Sequence, residues 1–369
     1  LLSDNLGLMW VGIAATTLLT AILVSIHPWP ASLEAMWKYL LMCSVGVALA
    51  FTGALLGAAA AGMAGLQGTA ALSWTATRAA ASRLDPALLK AGFIFLVVGY
   101  GVKAGLAPMH NWLPDAHSQA PAPVSAVFSG FMLNAALYCI LRCLPLTEAI
   151  PGGAGWGRGI LLAFGLVSII VAAAFIVAQH DLKRLLAYHS VEHLGIIALG
   201  VGLGGFGAVA ALWHTLNHSL CKSLSFFCAG RLGQIYGTHD MRGMTGLLRS
   251  SPVWGSGLVG SLLALLGVAP FALFMSEFLI LKAALDSGAR LAAVLFLSGV
   301  GVVFVGALRH VIAMAWDPPA AAVKPPKACW IEGALVFGPL GALLLLGVWM
   351  PPPLLGALAQ AARILGATP

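Results

Sequence analysis

Long apolar runs alternate along the chain with short segments rich in proline, glycine and charged residues. A helix needs about 20 consecutive, largely apolar residues to cross the hydrocarbon core of a bilayer. Measured against that length, the pattern predicts an all-α, polytopic membrane protein with about ten transmembrane helices. These lie near residues 6–25, 37–60, 90–107, 122–144, 159–180, 186–203, 206–229, 252–282, 290–313 and 330–349.

Two of these runs are predicted to be broken helices. GLAP at 105–108 interrupts the third run just after Lys103, and GVAP at 267–270 interrupts the eighth run before Glu277. Irregular backbone at membrane depth is tolerated only where it is buried in protein or lines a cavity. Interrupted helices at corresponding positions are typical of transporters built from internal repeats, whose functional site lies near mid-membrane.

The segments between the runs are predicted from their turn residues and polarity. The stretch 61–87 is rich in small and polar residues, which indicates a long surface loop, and 353–366 has the length of a short helix lying at the membrane interface. Turns are expected at HPWP (27–30), PGGAGWG (151–157), DPP (317–319) and KPPK (324–327).

Composition indicates that lipid, and not water, is the solvent of this chain. Hydrophobic residues make up 60% of it and charged residues only 8%, whereas a soluble domain has about 25% charged residues. The formal net charge is +7, but the basic residues are scattered singly, so nucleic acid is not an expected partner. The six cysteines form no CxxC pair, which argues against an iron–sulfur cluster or a disulfide framework.

Several ionisable residues fall within the apolar runs, where a charge at the bilayer centre costs roughly 2.5–3.5 kcal/mol on insertion scales. His214, His218 and Lys222 are spaced four apart, so they share one helix face and form a polar stripe about 12 Å long. Histidine titrates near neutrality, and such a stripe can relay protons with waters between its members. The alternative is that each group only hydrogen-bonds to a neighbouring helix.

Two short motifs match patterns for metal or cofactor binding but lie in the wrong surroundings. HSVEH at 189–193, which contains Glu192 and His193, matches the HxxEH pattern of zinc peptidases. It opens an apolar span, and no further acidic residue follows on a nearby helix until Asp240. GLGGFG at 202–207 matches GxGxxG, but it has no preceding strand and no acidic residue about 20 positions on. We therefore expect neither a metal site nor a bound cofactor in this chain.

A family resemblance rests on the stretches KAGLAPMHNWLPDAHSQAPAPVSAVFSG (103–130), HDLKRLLAYHSVEHLGII (180–197), HTLNHSLCKSLSFFCAG (214–230) and SEFLIL (276–281). In these stretches the chain resembles the antiporter-like membrane subunits shared by respiratory complex I, multi-subunit cation/proton antiporters and group 4 membrane-bound hydrogenases. The hydrogenase branch, with the large membrane subunit of hydrogenase-4 and formate-hydrogenlyase-like complexes, is the most similar in SDNLGLMWV (3–11), EAMWKYLLMCSVGVALA (34–50) and YHSVEHLG (188–195).

The resemblance implies a fold of about fourteen helices with two inverted repeats, each containing one broken helix. The spans predicted here would be the last ten of these, and the chain begins with leucine and without a signal-peptide pattern, so we expect further residues upstream. The predicted division is an incomplete first repeat at 1–145, a second repeat at 159–313, and a C-terminal transmembrane helix with an interfacial tail at 330–369.

The resemblance also implies roles for individual residues. Lys103 matches the lysine of the first broken helix, Lys222 the linking lysine of a central helix, and Glu277 the ionisable residue of the second broken helix. The expected proton-pathway residues are Lys103, Glu192, His193, His214, His218, Lys222 and Glu277, and no catalytic residue is expected.

Two positions depart from the family pattern. Many members carry a glutamate that pairs with the broken-helix lysine, but the matching position here holds Ala14. Asn134 stands where some relatives carry a further lysine. We therefore expect Lys103 to lack its usual acidic partner, and the first of the two channels to be altered or inactive.

The function implied by the resemblance is proton translocation by a subunit of a redox-driven complex in the cell inner membrane. Its expected partners are the lipid bilayer, other membrane subunits and a peripheral redox module, with catalysis outside this chain. Three alternatives remain open. They are a subunit of a sodium/proton antiporter, a subunit of an inorganic-carbon uptake complex, and a membrane anchor that conducts nothing.

Overall fold

A computed structural model describes residues 2–318 and 328–366, and regular secondary structure is helical throughout them. The helices are α1 (Leu6–Val24), α2 (Pro30–Met63), α3 (Trp74–Ala79), α4 (Pro86–Ala104), α5 (Trp112–Gln119), α6 (Ala122–Val127), α7 (Leu133–Ala149), α8 (Trp156–Ile176), α9 (Leu182–Leu203), α10 (Gly205–Tyr236), α11 (Leu247–Ser250), α12 (Pro252–Leu265), α13 (Ala272–Asp286), α14 (Arg290–Trp316), α15 (Trp330–Val348) and α16 (Pro352–Ile364). A π-helical turn at Phe128–Met132 joins α6 to α7.

The structure confirms an all-α polytopic membrane fold. Within the described residues, eight helical segments are long and apolar enough to cross a membrane, the π-linked α6–α7 pair counting as one of them. The other two predicted spans are α10, a 32-residue helix that carries the histidine and lysine stripe, and the broken pair α12–α13. The inverted relation of the two repeats, and their division at 1–145, 159–313 and 330–369, remain predictions.

Both predicted helix breaks are present, and both are formed in the same way. Helix α4 is followed by Gly105 at φ +76°, and α12 is followed, after Leu266, by Gly267 at φ +63°, which is the left-handed conformation that glycine adopts without strain. At the first break, the Gly105 and Leu106 amides donate to carbonyls of the last helical turn at 3.2 and 2.9 Å. The amides of Gly267 and Val268 do the same at 3.1 Å each. These bonds satisfy the terminal carbonyls inside the protein.

The prediction of a long surface loop at 61–87 is wrong in part. Helix α2 continues to Met63, α3 occupies part of the segment, and short 3₁₀ turns flank α3. Thr77, Ala81 and Leu84 are buried, and Trp74 Nε1 donates a hydrogen bond to a carbonyl of α7 at 2.6 Å. Ala61, Ala80 and Ala81 are buried, whereas a Cβ on any of the glycines at 62, 65 and 68 would meet nothing within 4 Å.

The ends of the chain differ from the prediction only in detail. Helix α2 begins at Pro30, seven residues earlier than predicted, because proline is well suited to the first helical position. The predicted tail helix is present as α16, and its Leu358 and Ala362 side chains are buried, while its position at a membrane interface remains a prediction. The turn predicted at 324–327 lies outside the described residues.

Close approach of helix backbones holds the N-terminal part of the fold together. Where α2 crosses α4, glycines occupy the contact, and a Cβ on Gly99 would lie 2.6 Å from the Gly46 carbonyl oxygen. Gly165 and Gly195 serve the same purpose between α8 and α9. Helices in membranes associate largely through such packing, because lipid is as apolar as the side chains themselves.

Substituting Gly99→Ala is expected to destabilise the protein by about 1–3 kcal/mol, the usual cost of overpacking. The added methyl group meets backbone atoms of α2, which cannot rotate away. The measurement is thermal unfolding of the purified protein in detergent. Gly57→Ala is the matched control, since a Cβ on Gly57 meets nothing within 4 Å. Equal unfolding temperatures for the two variants would contradict this description of the α2–α4 contact.

Candidate functional site

Ionisable side chains of three helices meet in the interior of the second half of the fold. They come from α9, α10 and α13, and all of them are buried. Their members, which we call the histidine cluster, are His189, Glu192, His193, His214, His218, Lys222 and Glu277. Six of these seven are sequence-predicted site residues, and the seventh, His189, lies in the HSVEH motif.

The centre of the histidine cluster is a contact between two imidazoles. His193 Nδ1 lies 2.9 Å from His214 Nε2, and His214 Nδ1 lies 2.8 Å from Ser276 Oγ. Ser276 already donates its hydroxyl proton to the Leu273 carbonyl at 2.9 Å, so it accepts from His214. Glu277 Oε1 lies 3.8 Å from His193 Nδ1. His193, His214 and Ser276 therefore form one hydrogen-bonded chain, with the Glu277 carboxyl group 3.8 Å from its His193 end.

The remaining members surround this centre. Glu192 Oε2 lies 2.9 Å from His189 Nδ1, one helical turn away on α9. The His218 ring centroid lies 5.4 Å from that of His193. Lys222 Nζ donates to the Leu186 carbonyl oxygen at 2.6 Å. The stripe predicted on α10 thus faces α9 along its whole length.

Asn134 connects this region to α7. Its Nδ2 atom lies 2.8 Å from Ser219 Oγ and 3.1 Å from the Gly130 carbonyl oxygen, and 3.4 Å from His218 Nδ1. An amide holds these contacts without a charge. Asn134 therefore serves as a neutral bridge between α7 and α10.

Lys103 lies apart from the histidine cluster, in a pocket formed by α1, α2 and α4. It is fully buried, and its Nζ donates to Thr17 Oγ1 at 2.9 Å and to Tyr39 OH at 2.6 Å. Within residues 2–318 and 328–366, it forms no ion pair. With alanine at position 14, the Lys103 amine is held by two hydroxyl groups and not by a carboxylate.

The hydroxyl partners of Lys103 form a chain with a fixed end. Tyr39 OH lies 2.6 Å from Thr20 Oγ1, and Thr20 donates in turn to the Thr16 carbonyl oxygen at 2.5 Å. A backbone carbonyl accepts a hydrogen bond but does not carry a proton onward. The chain therefore holds the amine in place and brings no carboxylate to it.

The HSVEH motif has an acidic neighbour that the order of residues does not reveal. Helix α13 packs against α9 and brings Glu277 to His193, although Glu277 lies beyond Asp240 in the sequence. Ser276, Tyr39 and Thr17 were not anticipated as site residues. Nothing in the local sequence distinguishes these hydroxyls from others in apolar runs.

Comparison with known proteins shows matches over nearly the whole chain. Residues 3–303 match the family profile described as NADH:quinone oxidoreductase/Mrp antiporter, transmembrane. A hydrogenase-4 component F homolog from Methylacidiphilum infernorum is 42% identical over 95% of this chain, which spans 73% of that relative. Formate hydrogenlyase subunit 3 of Escherichia coli is 35% identical over 58% of this chain, but this covers only 37% of that protein.

Solved structures show the same fold within multi-subunit membrane complexes. A chain of Thermus thermophilus respiratory complex I is 27% identical, with a TM-score of 0.78 over 96% of this chain and 76% of that chain. A chain of an archaeal membrane-bound sulfane sulfur reductase has a TM-score of 0.86 at 24% identity, covering 98% of this chain and 72% of that one. The second likeness concerns the fold alone.

Removing the phenol hydroxyl by Tyr39→Phe is expected to lower stability by about 1.5–3 kcal/mol, the usual worth of a hydrogen bond to a charged group. The buried amine keeps only Thr17 as a side-chain acceptor. Unfolding in detergent provides the measurement. Tyr100→Phe is the matched control, because the Tyr100 hydroxyl is buried without a hydrogen-bond partner among the described residues. A loss no larger than that of the control would show that Tyr39 does not hold Lys103.

Proposed function

This chain belongs to the NADH:quinone oxidoreductase/Mrp antiporter transmembrane family, and we propose that it is a proton-translocating membrane subunit of a redox-driven complex. The observation that supports this function is the histidine cluster, in which seven ionisable side chains are buried together. Buried ionisable residues are costly in a membrane and typically mark ion or proton pathways. A purely structural core would have no need of so many titratable groups.

The geometry at the centre of the cluster suits stepwise proton transfer. His193 and His214 are in direct hydrogen-bond contact, so a proton on one ring nitrogen can pass to the other. Glu277 lies beside His193 at one end, next to the break between α12 and α13. His218 and Lys222 continue the polar stripe along α10 at the other end. We propose that protons pass between Glu277 and Lys222 through these imidazoles.

The first half of the chain is assigned a different role. Lys103 has hydroxyl partners in place of an acid, and its hydrogen-bond chain ends at a backbone carbonyl. An amine without a nearby carboxylate lacks the charge whose movement would switch its protonation. We propose that the Lys103 site stabilises the bundle and carries little proton flow.

The relatives support the setting of this function. Similar chains are named as hydrogenase-4, formate hydrogenlyase and NADH-quinone oxidoreductase subunits. We propose that other membrane subunits and a peripheral redox module are the partners of this chain, that they hold the redox cofactors, and that the complex lies in the cell inner membrane. The proposal for this chain is limited to proton movement, because no catalytic centre is assigned to it.

Lys222→Met is expected to abolish most proton transport, whereas Lys103→Met is expected to leave most of it intact. Methionine keeps an apolar stem and removes the amine in both cases, so the comparison isolates the two sites. The measurement is redox-driven acidification of membrane vesicles that contain the assembled complex. Lys90→Met is the control, since Lys90 is partly exposed and belongs to neither site: its Nζ donates to the Gly152 carbonyl oxygen and lies over the Trp156 ring. Normal transport in Lys222→Met would contradict the proposed pathway, and complete loss in Lys103→Met would contradict the proposed difference between halves.

A further inference from the structure

Part of the histidine cluster has the composition and spacing of a metal site. His193, His214 and Glu277 each present one ligand atom, and these atoms all lie within 4.8 Å of one another. They come from α9, α10 and α13, so three packed helices fix their positions. We propose that these three residues form a Zn²⁺-binding site.

The ligand set is one that zinc prefers. Zinc binds imidazole nitrogen and carboxylate oxygen at about 2.0–2.2 Å, and a His₂Glu set leaves a fourth tetrahedral position for water. Two ligands on a tetrahedral zinc therefore lie about 3.3 Å apart. The contacts here are 2.9 Å between the two imidazoles and 3.8 Å from His193 to Glu277, which bracket that separation. The third pair, His214 and Glu277, lies within the 4.8 Å that holds for all three ligand atoms, so closing the site moves that pair together by up to about 1.5 Å.

A neighbouring hydroxyl group orients one of the two histidines as a metal requires. A zinc-binding histidine normally donates its other ring N–H to an oxygen acceptor, which fixes the tautomer. Ser276 accepts from His214 Nδ1 at 2.8 Å, so the lone pair of His214 lies on Nε2 and is directed at His193. For Nδ1 of His193 to bind the metal, this ring must carry its proton on Nε2. Among the described residues that Nε2 atom has no acceptor, so His193 is the less firmly oriented of the two histidine ligands.

The charges at the site also suit a dication. Glu277 contributes one negative charge, and Glu192 lies with His189 and His193 in a second group whose ligand atoms are within 4.8 Å of one another. Two carboxylates can thus balance one Zn²⁺ in an interior where an unbalanced ion would be costly.

The proposed site is most open beside Glu277. Of the three ligands, Glu277 is the one with residual exposure, at 7%, and a Cβ at Gly267 would collide with its second oxygen. The glycine therefore leaves the approach to the carboxylate open.

Zinc at this position would have a functional consequence that rests on the proposed function. It would occupy the nitrogen lone pairs and the carboxylate that proton transfer between Glu277 and His214 needs. Bound zinc would therefore inhibit proton transport. The binding itself does not depend on transport and is measured separately.

The experiment loads the purified, full chain in detergent with Zn²⁺, removes unbound metal by gel filtration, and measures zinc per chain by mass spectrometry. We expect about one zinc per chain, with X-ray absorption showing ligands at about 2.0–2.1 Å. His193→Ala and His214→Ala should lose this zinc. Ser276→Ala should retain it with about tenfold weaker affinity in competition with a chromogenic chelator, the usual effect of removing an outer partner. His310→Ala, which alters a histidine of α14 outside the cluster, should bind like the unmodified protein.

Failure of the unmodified chain to retain zinc would overturn the site, as would equal zinc contents in the His193, His214 and His310 variants. The visible absorption of the Co²⁺-loaded unmodified chain tests tetrahedral coordination even if an alanine variant fails to fold, and an octahedral spectrum would contradict the site. Proton transport by the intact complex with and without Zn²⁺ tests inhibition. Unchanged transport at saturating zinc would show that zinc does not inhibit. A complex that transports no protons even without zinc would overturn the proposed function, and the zinc site would then be judged from the zinc content of the chain alone.

Discussion

The cost of placing an ionisable side chain inside a membrane is the constraint on which the rest of this structure depends. Each such charge costs roughly 2.5–3.5 kcal/mol on insertion scales, so these residues face protein and not lipid. Helix α9 satisfies that requirement, because 94% of the residues in its most apolar 18-residue stretch are buried. In α15 only 17% of the residues in such a stretch are buried. The most polar of the long helices are therefore those that the others surround. The apolar sides of α1, α14 and α15 are left on the outside of the described bundle, where lipid can cover them.

The two helix breaks solve a related problem. A helix that ends inside a membrane leaves carbonyl groups without partners, and water is not available to satisfy them. Glycines at both breaks turn the chain so that the following amides close the last helical turn. Lys103 lies in the last turn of the helix before the first break, whereas Glu277 lies on the helix after the second break, with its carboxyl group beside Gly267. Their surroundings differ, since Lys103 has two hydroxyl partners and Glu277 contacts a histidine.

Much of the fold could be predicted from the sequence, because hydropathy and turn residues act locally. The apolar runs predicted the membrane-spanning helices, and the GLAP and GVAP stretches predicted the two helix breaks. The spacing of His214, His218 and Lys222 predicted that they share one helix face. The contact between Glu277 and His193 could not be predicted, since 83 intervening residues separate them in the sequence and only the packing of α13 against α9 joins them. The hydroxyl partners of Lys103 were missed for the same reason. The short helices of 61–87 and the burial of Thr77, Ala81 and Leu84 were missed because small residues are common both in loops and in helix contacts.

The central claim of this account is that Glu277 exchanges protons with the imidazoles of the histidine cluster. Glu277→Gln tests it most directly, because glutamine keeps the shape and hydrogen bonding of the side chain but cannot ionise. The measurement compares redox turnover with proton transport in vesicles containing the assembled complex, with the exposed Glu34→Gln as control. We predict that turnover continues in Glu277→Gln while proton transport is lost. Normal proton transport in that variant would contradict the account.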